Sequence, residues 1–211
     1  MMTRSTLLVG RAIAASLAPS VGTAAFVVTV AAMTLAGCGH SIPTRYVTLN
    51  PMPAGAPPAA APMPPVQLTA VHIPAVLDRL EVVTLASQNR LTIDDNDRWG
   101  APLAQLMRRT LAQDLLTRLP AGSFVVPDAP APPGTRTLVV TVLNATADAS
   151  GTLTLQAEWT LLAGHSDQAP LRQQVTLDSV ITGHDAPAQA AALSRVLGEL
   201  ADRIATTVVA H

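Results

Sequence analysis

Lysine is absent from this chain, and cysteine and aromatic residues are scarce. All 13 basic residues are arginines, one cysteine is present, and aromatic residues make up 2% of the 211 residues. A formal net charge of −1 without an arginine cluster argues against nucleic-acid binding, which needs a basic stripe. So few aromatic side chains also argue against a stacking platform for bases or sugars. One cysteine cannot form an intramolecular disulfide, so packing alone has to hold the fold.

The single cysteine, Cys38, follows an apolar segment near the N-terminus. Arg4 and Arg11 supply positive charge, and no acidic residue precedes the cysteine. Residues 26–35 form an apolar run of about ten residues, which is a usual length for the core of a signal peptide. The run is too short for a membrane-spanning helix, which needs roughly 20 residues. This organisation predicts a leader at 1–37 that is removed from the mature protein.

The residues Leu35, Ala36, Gly37 and Cys38 form a lipobox. A cysteine thiolate is nucleophilic enough to accept a diacylglyceryl group, and the small residues before it admit the backbone to a peptidase. We therefore expect diacylglycerol and an N-acyl chain to be attached covalently to Cys38, with no other cofactor. Two acyl chains already suffice for stable anchoring in a membrane. The alternative is an uncleaved N-terminal anchor with an incidental cysteine.

A proline-rich stretch follows. Residues 51–65 contain seven prolines, which cannot form a helix or a sheet ladder. We expect the lipidated N-terminus, a short strand and this stretch to occupy 38–65, and a folded domain to occupy 66–211. The stretch is either a semi-rigid arm that holds the domain off the membrane or a solvated loop insertion.

Alternation of apolar and polar residues predicts an antiparallel sheet. The alternation is strictest over 152–161, where the apolar positions include Leu155 and Trp159. A period of two indicates a strand with one buried face and one face in water. Further strands are expected at 45–49, 66–73, 81–86, 90–93, 123–126, 137–143 and 173–182.

Two segments have helical spacing instead. One apolar stripe follows Pro102 and consists of Leu103, Met107, Leu111 and Leu115. A second follows Asp185, which is a good helix cap, and consists of Leu193, Leu197, Leu200, Ile204 and Val208. Because each helix has one apolar stripe, we predict an α+β fold, with an antiparallel or mixed β-sheet and two helices packed on one face.

No residue pattern predicts catalysis or a metal site. The five histidines lack metal-ligand spacing; they are His40, His72, His165, His184 and His211. His184 and Asp185 could serve a hydrolase with Ser166 or Ser179 as nucleophile, but no Gly-x-Ser-x-Gly elbow positions either serine. No phosphate-binding glycine loop occurs. We therefore expect neither an enzyme nor a metalloprotein.

Three aspartates at 94, 95 and 97 follow the expected strand at 90–93. Such a cluster could bind calcium, but it lacks the glycine and the distal glutamate of an EF-hand loop. We expect a solvated polar turn at 94–97.

Three motifs of the chain occur in a familiar order. After the lipobox come Val76-Leu77-Asp78-Arg79-Leu80 before a valine-rich strand, and then Arg98-Trp99-Gly100-Ala101-Pro102-Leu103 at the first helix. From about residue 45 to the end, the chain resembles the ABC-type transport auxiliary lipoproteins, the PqiC-like group. It departs from that pattern where Gly100-Ala101 replaces an Ala-Glu pair and where Leu80 stands at a frequent proline position.

The resemblance implies a non-catalytic, lipid-anchored periplasmic accessory subunit of a system that transports lipids or hydrophobic solutes. The implied partners are an Mce-type conduit protein and membrane transporter components, and the family analogy also suggests a homo-oligomer. The implied location is the inner leaflet of the outer membrane, facing the periplasm. Gly39 agrees with that location, because aspartate after the lipidated cysteine would signal retention in the inner membrane.

The residues Arg98, Trp99, Pro102 and Leu103 form the candidate partner-binding or structural motif. An arginine beside a tryptophan can anchor a protein interface, whereas Trp99 can equally cover the sheet below the helix start, which is the interpretation we favour. Two other functions remain open. One is a lipoprotein that carries lipid in a cavity between sheet and helices, and the other is a structural lipoprotein of outer-membrane assembly.

Overall fold

Strand-forming and helix-forming segments follow one another along the chain in the expected order. The computed structural model describes residues 43–55, 63–87, 89–164 and 169–211. Within these residues the strands are β1 (Arg45–Val47), β2 (Val66–His72), β3 (Glu81–Ser87), β4 (Arg90–Trp99), β5 (Phe124–Val125), β6 (Arg136–Ala147), β7 (Thr152–Leu162) and β8 (Leu171–Val180). The helices are α1 (Leu103–Arg118) and α2 (Ala186–Ala210).

Five strands form a large sheet in the order β5-β2-β6-β7-β8. β2 runs parallel to β5 and β6, whereas β6, β7 and β8 pair antiparallel. The alternation predicted over 152–161 is confirmed, because the five apolar residues at its alternate positions are buried: Leu153, Leu155, Ala157, Trp159 and Leu161. The intervening threonine, glutamine and glutamate side chains are only partly buried, so this sheet has one core face and one face in water.

The two helices cover the core face of the large sheet. Every residue of the two predicted apolar stripes is buried, and the helices contact each other as well as β2, β7 and β8. Asp185 begins α2 by accepting a hydrogen bond from the Ala188 amide at 3.0 Å, as predicted. The fold is therefore α+β, as expected. Neither helix of the described segments is long and apolar enough to cross a membrane.

Three strands form a small sheet in the order β1-β4-β3, which was not expected. β1 runs parallel to β4, and β3 runs antiparallel to it. Trp99 of this sheet shares a narrow space with Ala145 and Leu153 of the large sheet and with Leu193 of α2. The small sheet therefore packs at one end of the large sheet and closes the core there.

The polar turn expected at 94–97 is wrong, because these residues lie inside β4. Val83 pairs with Ile93, but Glu81 pairs with Arg98, so β4 contains extra residues at this point. The Asp94 carboxylate accepts hydrogen bonds from the amides of Asn96 and Asp97, each at 2.9 Å. The polar residues therefore form a bulge within a strand, which then continues because its end pairs with β1.

Folding extends further toward the N-terminus than residue 66, since the compact unit begins at Pro43. Near the start of the proline-rich stretch, the Met52 amide donates to Asp114 at 2.8 Å. At its end, the Pro65 carbonyl accepts from the Arg136 amide at 2.7 Å. Both ends of the stretch are thus attached to the same folded unit, which supports the loop-insertion interpretation of the stretch and not the arm.

Candidate docking surfaces and anchor attachment

The predicted motif around Trp99 divides between the core and the surface. Successive side chains of a strand point to opposite faces, so Trp99 is buried while Arg98 faces outward. Trp99 packs where Leu77, Val83 and Leu103 also line the space, and the Pro102 carbonyl accepts from the Gln105 amide at 2.9 Å in the first turn of α1. Trp99 and Leu103 therefore have structural positions in the core, whereas Arg98 and the exposed Pro102 are accessible to a partner.

Arg98 lies in the middle of the outer face of the small sheet. Strand register places Tyr46, Arg98 and Glu81 side by side across β1, β4 and β3. Glu81 has Arg98 at 3.9 Å on one carboxylate oxygen and Arg79 at 3.3 Å on the other. The Leu80 carbonyl accepts from the Trp99 amide at 2.6 Å, so Leu80 continues the pairing of β3 with β4 at the end of the small sheet. The sequence did not identify Tyr46 or Glu81, because only the sheet pairing brings them to Arg98.

The segment 49–53, which we call the strap, binds the two helices. Leu49 is buried, and the Asn50 amide donates to the Ser194 hydroxyl of α2 at 3.1 Å. The Met52 amide donates to Asp114 of α1, and the Met52 carbonyl accepts from Arg118 at 3.3 Å. The strap therefore fixes the chain just after β1 to both helices.

A buried pair of charges lies under the strap. Arg118 contacts Asp114 at 3.3 Å and donates to Asp202 at 2.6 Å. Burial raises the pKa of Asp114, although the Met52 amide and Arg118 both oppose that shift. One carboxylate oxygen of Asp114 has no hydrogen-bond partner. Gly198 of α2 lets the strap approach closely, because a Cβ there would lie 2.7 Å from the Cβ of Met52.

A groove runs beside α1 where it faces residues 126–128. Its volume is about 540 Å³, and Leu116 and Val126 expose about half of their surface in it. Arg108, at its rim, binds Asp128 through two hydrogen bonds of 2.8 and 3.0 Å, which hold the pKa of Asp128 below its usual value. Arg109 donates to the Thr48 hydroxyl at 3.2 Å. The groove thus combines an apolar floor with arginines, which suits an acidic partner segment with an apolar face.

The residues considered for catalysis are used in other ways. Asp185 caps α2 as described, and Ser179 accepts from Arg195 at 3.0 Å. His184 lines an open cavity of about 460 Å³ near the start of α2. In the described part of the chain, no group of three or more His, Cys, Asp or Glu residues is placed to hold a metal ion. Ser166, His40 and His165 lie outside the described residues, as does the lipobox Leu35, Ala36, Gly37 and Cys38.

The fold and the sequence together show which protein family the chain belongs to. The family model of the ABC-type transport auxiliary lipoprotein component matches residues 46–205. The chain belongs to this family, as the motifs suggested. It is a Pqi-type accessory lipoprotein, and proteins of this kind are membrane-anchored in the periplasm and take part in multi-component transport systems.

Particular relatives agree with this assignment. The chain is 31% identical over 164 residues to the intermembrane transport lipoprotein PqiC of Escherichia coli K12, which covers 76% of this chain and 85% of the relative. The same values hold for PqiC of Shigella flexneri.

Two crystal structures share the fold. An uncharacterised protein superposes with a TM-score of 0.66 at 22% identity, over 79% of this chain and 99% of that one. A protein from Xanthomonas campestris superposes with a TM-score of 0.56 at 16% identity, over 76% of this chain and 91% of that one. These likenesses support the arrangement of two sheets and two helices described above.

Proposed function

We propose that this protein is a lipid-anchored, non-catalytic docking adaptor of an Mce/Pqi-type system that transports lipids or hydrophobic solutes. Diacylglycerol and an N-acyl chain on Cys38 would hold it at the inner leaflet of the outer membrane. The folded domain would receive an Mce-type conduit protein from the periplasm. The relative in Escherichia coli is named for intermembrane transport, which supports this assignment.

The observation that carries the proposal is the attachment of the anchor-proximal chain to the centre of the fold. Four residues separate Cys38 from Pro43, where the compact unit begins. β1 then pairs with β4, and the strap binds both helices. A domain that is fixed so close to its lipid has a restricted position relative to the bilayer, which is what a docking point for a conduit requires.

The groove beside α1 is the surface that best suits the conduit partner. Its apolar floor at Leu116 and Val126 lies between polar and arginine side chains. Partly exposed apolar residues framed by arginine are typical of the centre of a protein interface. We propose that a segment of the Mce-type protein with an acidic rim and an apolar face occupies it.

Copurification tests the function. The intact lipidated protein should be isolated from membranes in mild detergent, and Mce-type and permease subunits encoded beside its gene should be sought by mass spectrometry. We expect an Mce-type protein to be recovered with the wild type and to be lost with Leu116→Asp. Leu162→Asp, at an exposed position of β7, is the matched control and should retain it. Repeated absence of an Mce-type protein from wild-type material that is shown to carry lipid would refute the proposal.

The lipid-carrier alternative gains no support from the space around Trp99, and the cavity of about 460 Å³ near the start of α2 is open and lined in part by Asp94, Asp148 and Asp185. The space between the small sheet, the large sheet and α2 has a volume of about 10 Å³. Such a space holds at most one water molecule, and an acyl chain would not fit. The groove beside α1 is open, which suits a partner segment better than an enclosed lipid. The structural-lipoprotein alternative would be favoured if no permease or Mce-type gene lay beside this one.

A further inference from the structure

We propose that the outer face of the small sheet rests on the phospholipid surface in which Cys38 is anchored. This inference rests on the lipid attachment in the proposed function, but it does not depend on the identity of the conduit partner. It assigns Arg98 and Tyr46 to contact with the bilayer. The opposite end of the domain then points toward the periplasm.

Exposed apolar side chains occur on this face and in the turn beside it. Tyr46 is 69% exposed, and Val76 and Leu80, in the turn that leads into β3, are 47% and 43% exposed. Leu77 between them is buried beside Trp99. The turn therefore directs one leucine into the core and presents its apolar neighbours to the outside.

The outer face of the large sheet provides the contrast within the same molecule. On β7 the residues on that face are Thr154, Gln156, Glu158 and Thr160, and they pair with Asp178, Thr176, Gln174 and Arg172 of β8. Such a face is suited to water and needs no partner. The large sheet also exposes Val180, which pairs with Thr152, and Leu143 of β6. Among the described residues, however, an exposed aromatic side chain beside an arginine occurs on the small sheet, where Tyr46 pairs with Arg98.

The polar side chains of the small sheet suit phospholipid headgroups. Arg79 and Arg98 share one carboxylate, that of Glu81, and the exposed Asp78 lies in the adjoining turn. Arginine hydrogen-bonds phosphate oxygens through its planar guanidinium, and the side chains of Arg79 and Arg98 are each 40% exposed. Tyrosine is enriched at membrane interfaces, because its ring is apolar and its hydroxyl is polar. Tyr46 is the only tyrosine of the chain.

The chain from Cys38 to Pro43, which we call the tether, is short, and its length favours the bilayer as the surface that the small sheet contacts. The five Cα steps from Cys38 to Pro43 span at most about 18 Å, and β1 begins two residues later. The proline-rich stretch lies C-terminal to β1 and cannot lengthen this connection. Contact between the small sheet and the membrane is therefore intramolecular in effect, so a weak interfacial affinity suffices to keep it engaged.

The other end of the domain is far from this contact and supplies matched control positions. Thr137, which pairs with Leu162, lies eight residues along β6 from Ala145, which packs near Trp99. That separation is about 27 Å. Leu116 lies thirteen residues along α1 from Leu103, or about 20 Å. Leu116 and Leu162 are exposed leucines that should remain in water.

Single-cysteine labelling tests the contact. Lipidation consumes the thiol of Cys38, which is the only cysteine, so an introduced cysteine can be labelled with a polarity-sensitive fluorophore. The variants are Tyr46→Cys, Leu80→Cys, Leu116→Cys and Leu162→Cys, each made in the full lipidated chain. Each is reconstituted into vesicles of phosphatidylethanolamine and phosphatidylglycerol that carry lipids spin-labelled at the headgroup.

We expect several-fold stronger quenching at positions 46 and 80 than at 116 and 162. Equal quenching at all four positions, or none at 46 and 80, would overturn the proposal. Quenching at 46 and 80 that required an added protein would assign the face to a protein partner instead and would also overturn it. Arg79→Ala with Arg98→Ala should weaken the quenching at position 46, and an unchanged signal would remove the arginines from the contact.

The outcome can be separated from that of the proposed function. A chain without lipid would not associate with the vesicles, and the intact mass of the protein reports this directly. Quenching at 46 and 80 together with failure to copurify an Mce-type protein would leave the membrane contact in place and reject the docking role. Copurification of an Mce-type protein without quenching at positions 46 and 80 would reject only the membrane contact.

Discussion

The large sheet and the small sheet of this domain are stabilised in different ways. The large sheet has long strands, regular pairing and a continuous apolar face under the helices. The small sheet is assembled from segments far apart in sequence, contains a bulge, and depends on Trp99 and on the strap beside it. The comparison indicates that the large sheet is a scaffold and that, in the proposed function, the small sheet would carry the connection to the membrane.

The largest effect should come from removing the tryptophan that joins the two sheets. We expect Trp99→Ala to lower the free energy of unfolding by about 3–5 kcal/mol, as for other large buried side chains. Chemical denaturation of the mature chain measures this. Arg98→Ala on the outer face should change stability by less than about 0.5 kcal/mol. A small loss for Trp99→Ala would mean that the small sheet contributes little to the core.

Removing the acceptor under the strap should have a smaller effect. Asp114→Ala leaves the Met52 amide without its partner, and we expect a loss of about 2 kcal/mol. Hydrogen exchange at Met52 should accelerate more than exchange in β7. Asp202→Ala, which removes the more exposed of the two carboxylates on Arg118, should have less effect at Met52. Equal exchange rates in Asp114→Ala and wild type would contradict the role of the strap.

The same carboxyl should make stability depend on pH. Burial raises the pKa of Asp114, so the folded state binds its proton more tightly than the unfolded state does. Its contribution is therefore most favourable below the unfolded pKa of about 3.9 and declines as pH rises through the higher folded pKa. The stability of wild type relative to Asp114→Asn should fall over that interval. A difference that is constant with pH would contradict the raised pKa.

A methyl group at Gly198 should displace the strap. In an ordinary helix interior, alanine is more stable than glycine by about 1 kcal/mol. Here the added Cβ would lie 2.7 Å from the Cβ of Met52, so we expect Gly198→Ala to destabilise by about 1–2 kcal/mol. Met52→Gly removes the clashing atom, and Gly198→Ala should become stabilising in that background. A stabilising effect in the wild-type background would show that the strap moves at little cost.

The smallest effect should come from the face of the large sheet that lies in water. Thr154 donates to Asp178 at 2.6 Å on that face, and exposed pairs contribute little to stability. We expect Thr154→Ala to change the free energy of unfolding by less than about 0.5 kcal/mol. A much larger loss would show that the outer face of the large sheet is more than a solvated surface.

Local patterns predicted much of the scaffold. The alternation in β7, the two helical stripes and the Asp185 cap each depend on neighbouring residues and were all confirmed. β8 was expected at 173–182, but it covers Leu171–Val180, and within it only Leu177 is fully buried, because β8 lies at the edge of the sheet.

Such local patterns could not predict the pairing of strands that lie far apart in the sequence. Arg45 pairs with Asp97 across fifty-two positions, and no local signal indicates that β1 joins β4. For the same reason the second sheet, the Tyr46–Arg98–Glu81 row and the bulge at Asp94 were not predicted. The buried pair of Asp114 and Arg118 could have been found from the sequence, since two opposite charges one helical turn apart beside an apolar stripe can form such a pair. Its connection to Met52 needed the structure.

The parallel pairing of β1 with β4 has a mechanical consequence. If the conduit pulls the domain away from the bilayer, the load enters through the N-terminal end of β1. When that force is directed along the strand, the ladder between β1 and β4 is loaded in shear, so its hydrogen bonds resist together and are not peeled apart one by one. In the proposed function, the attachment of the domain to its lipid would therefore be well placed to bear tension from a partner.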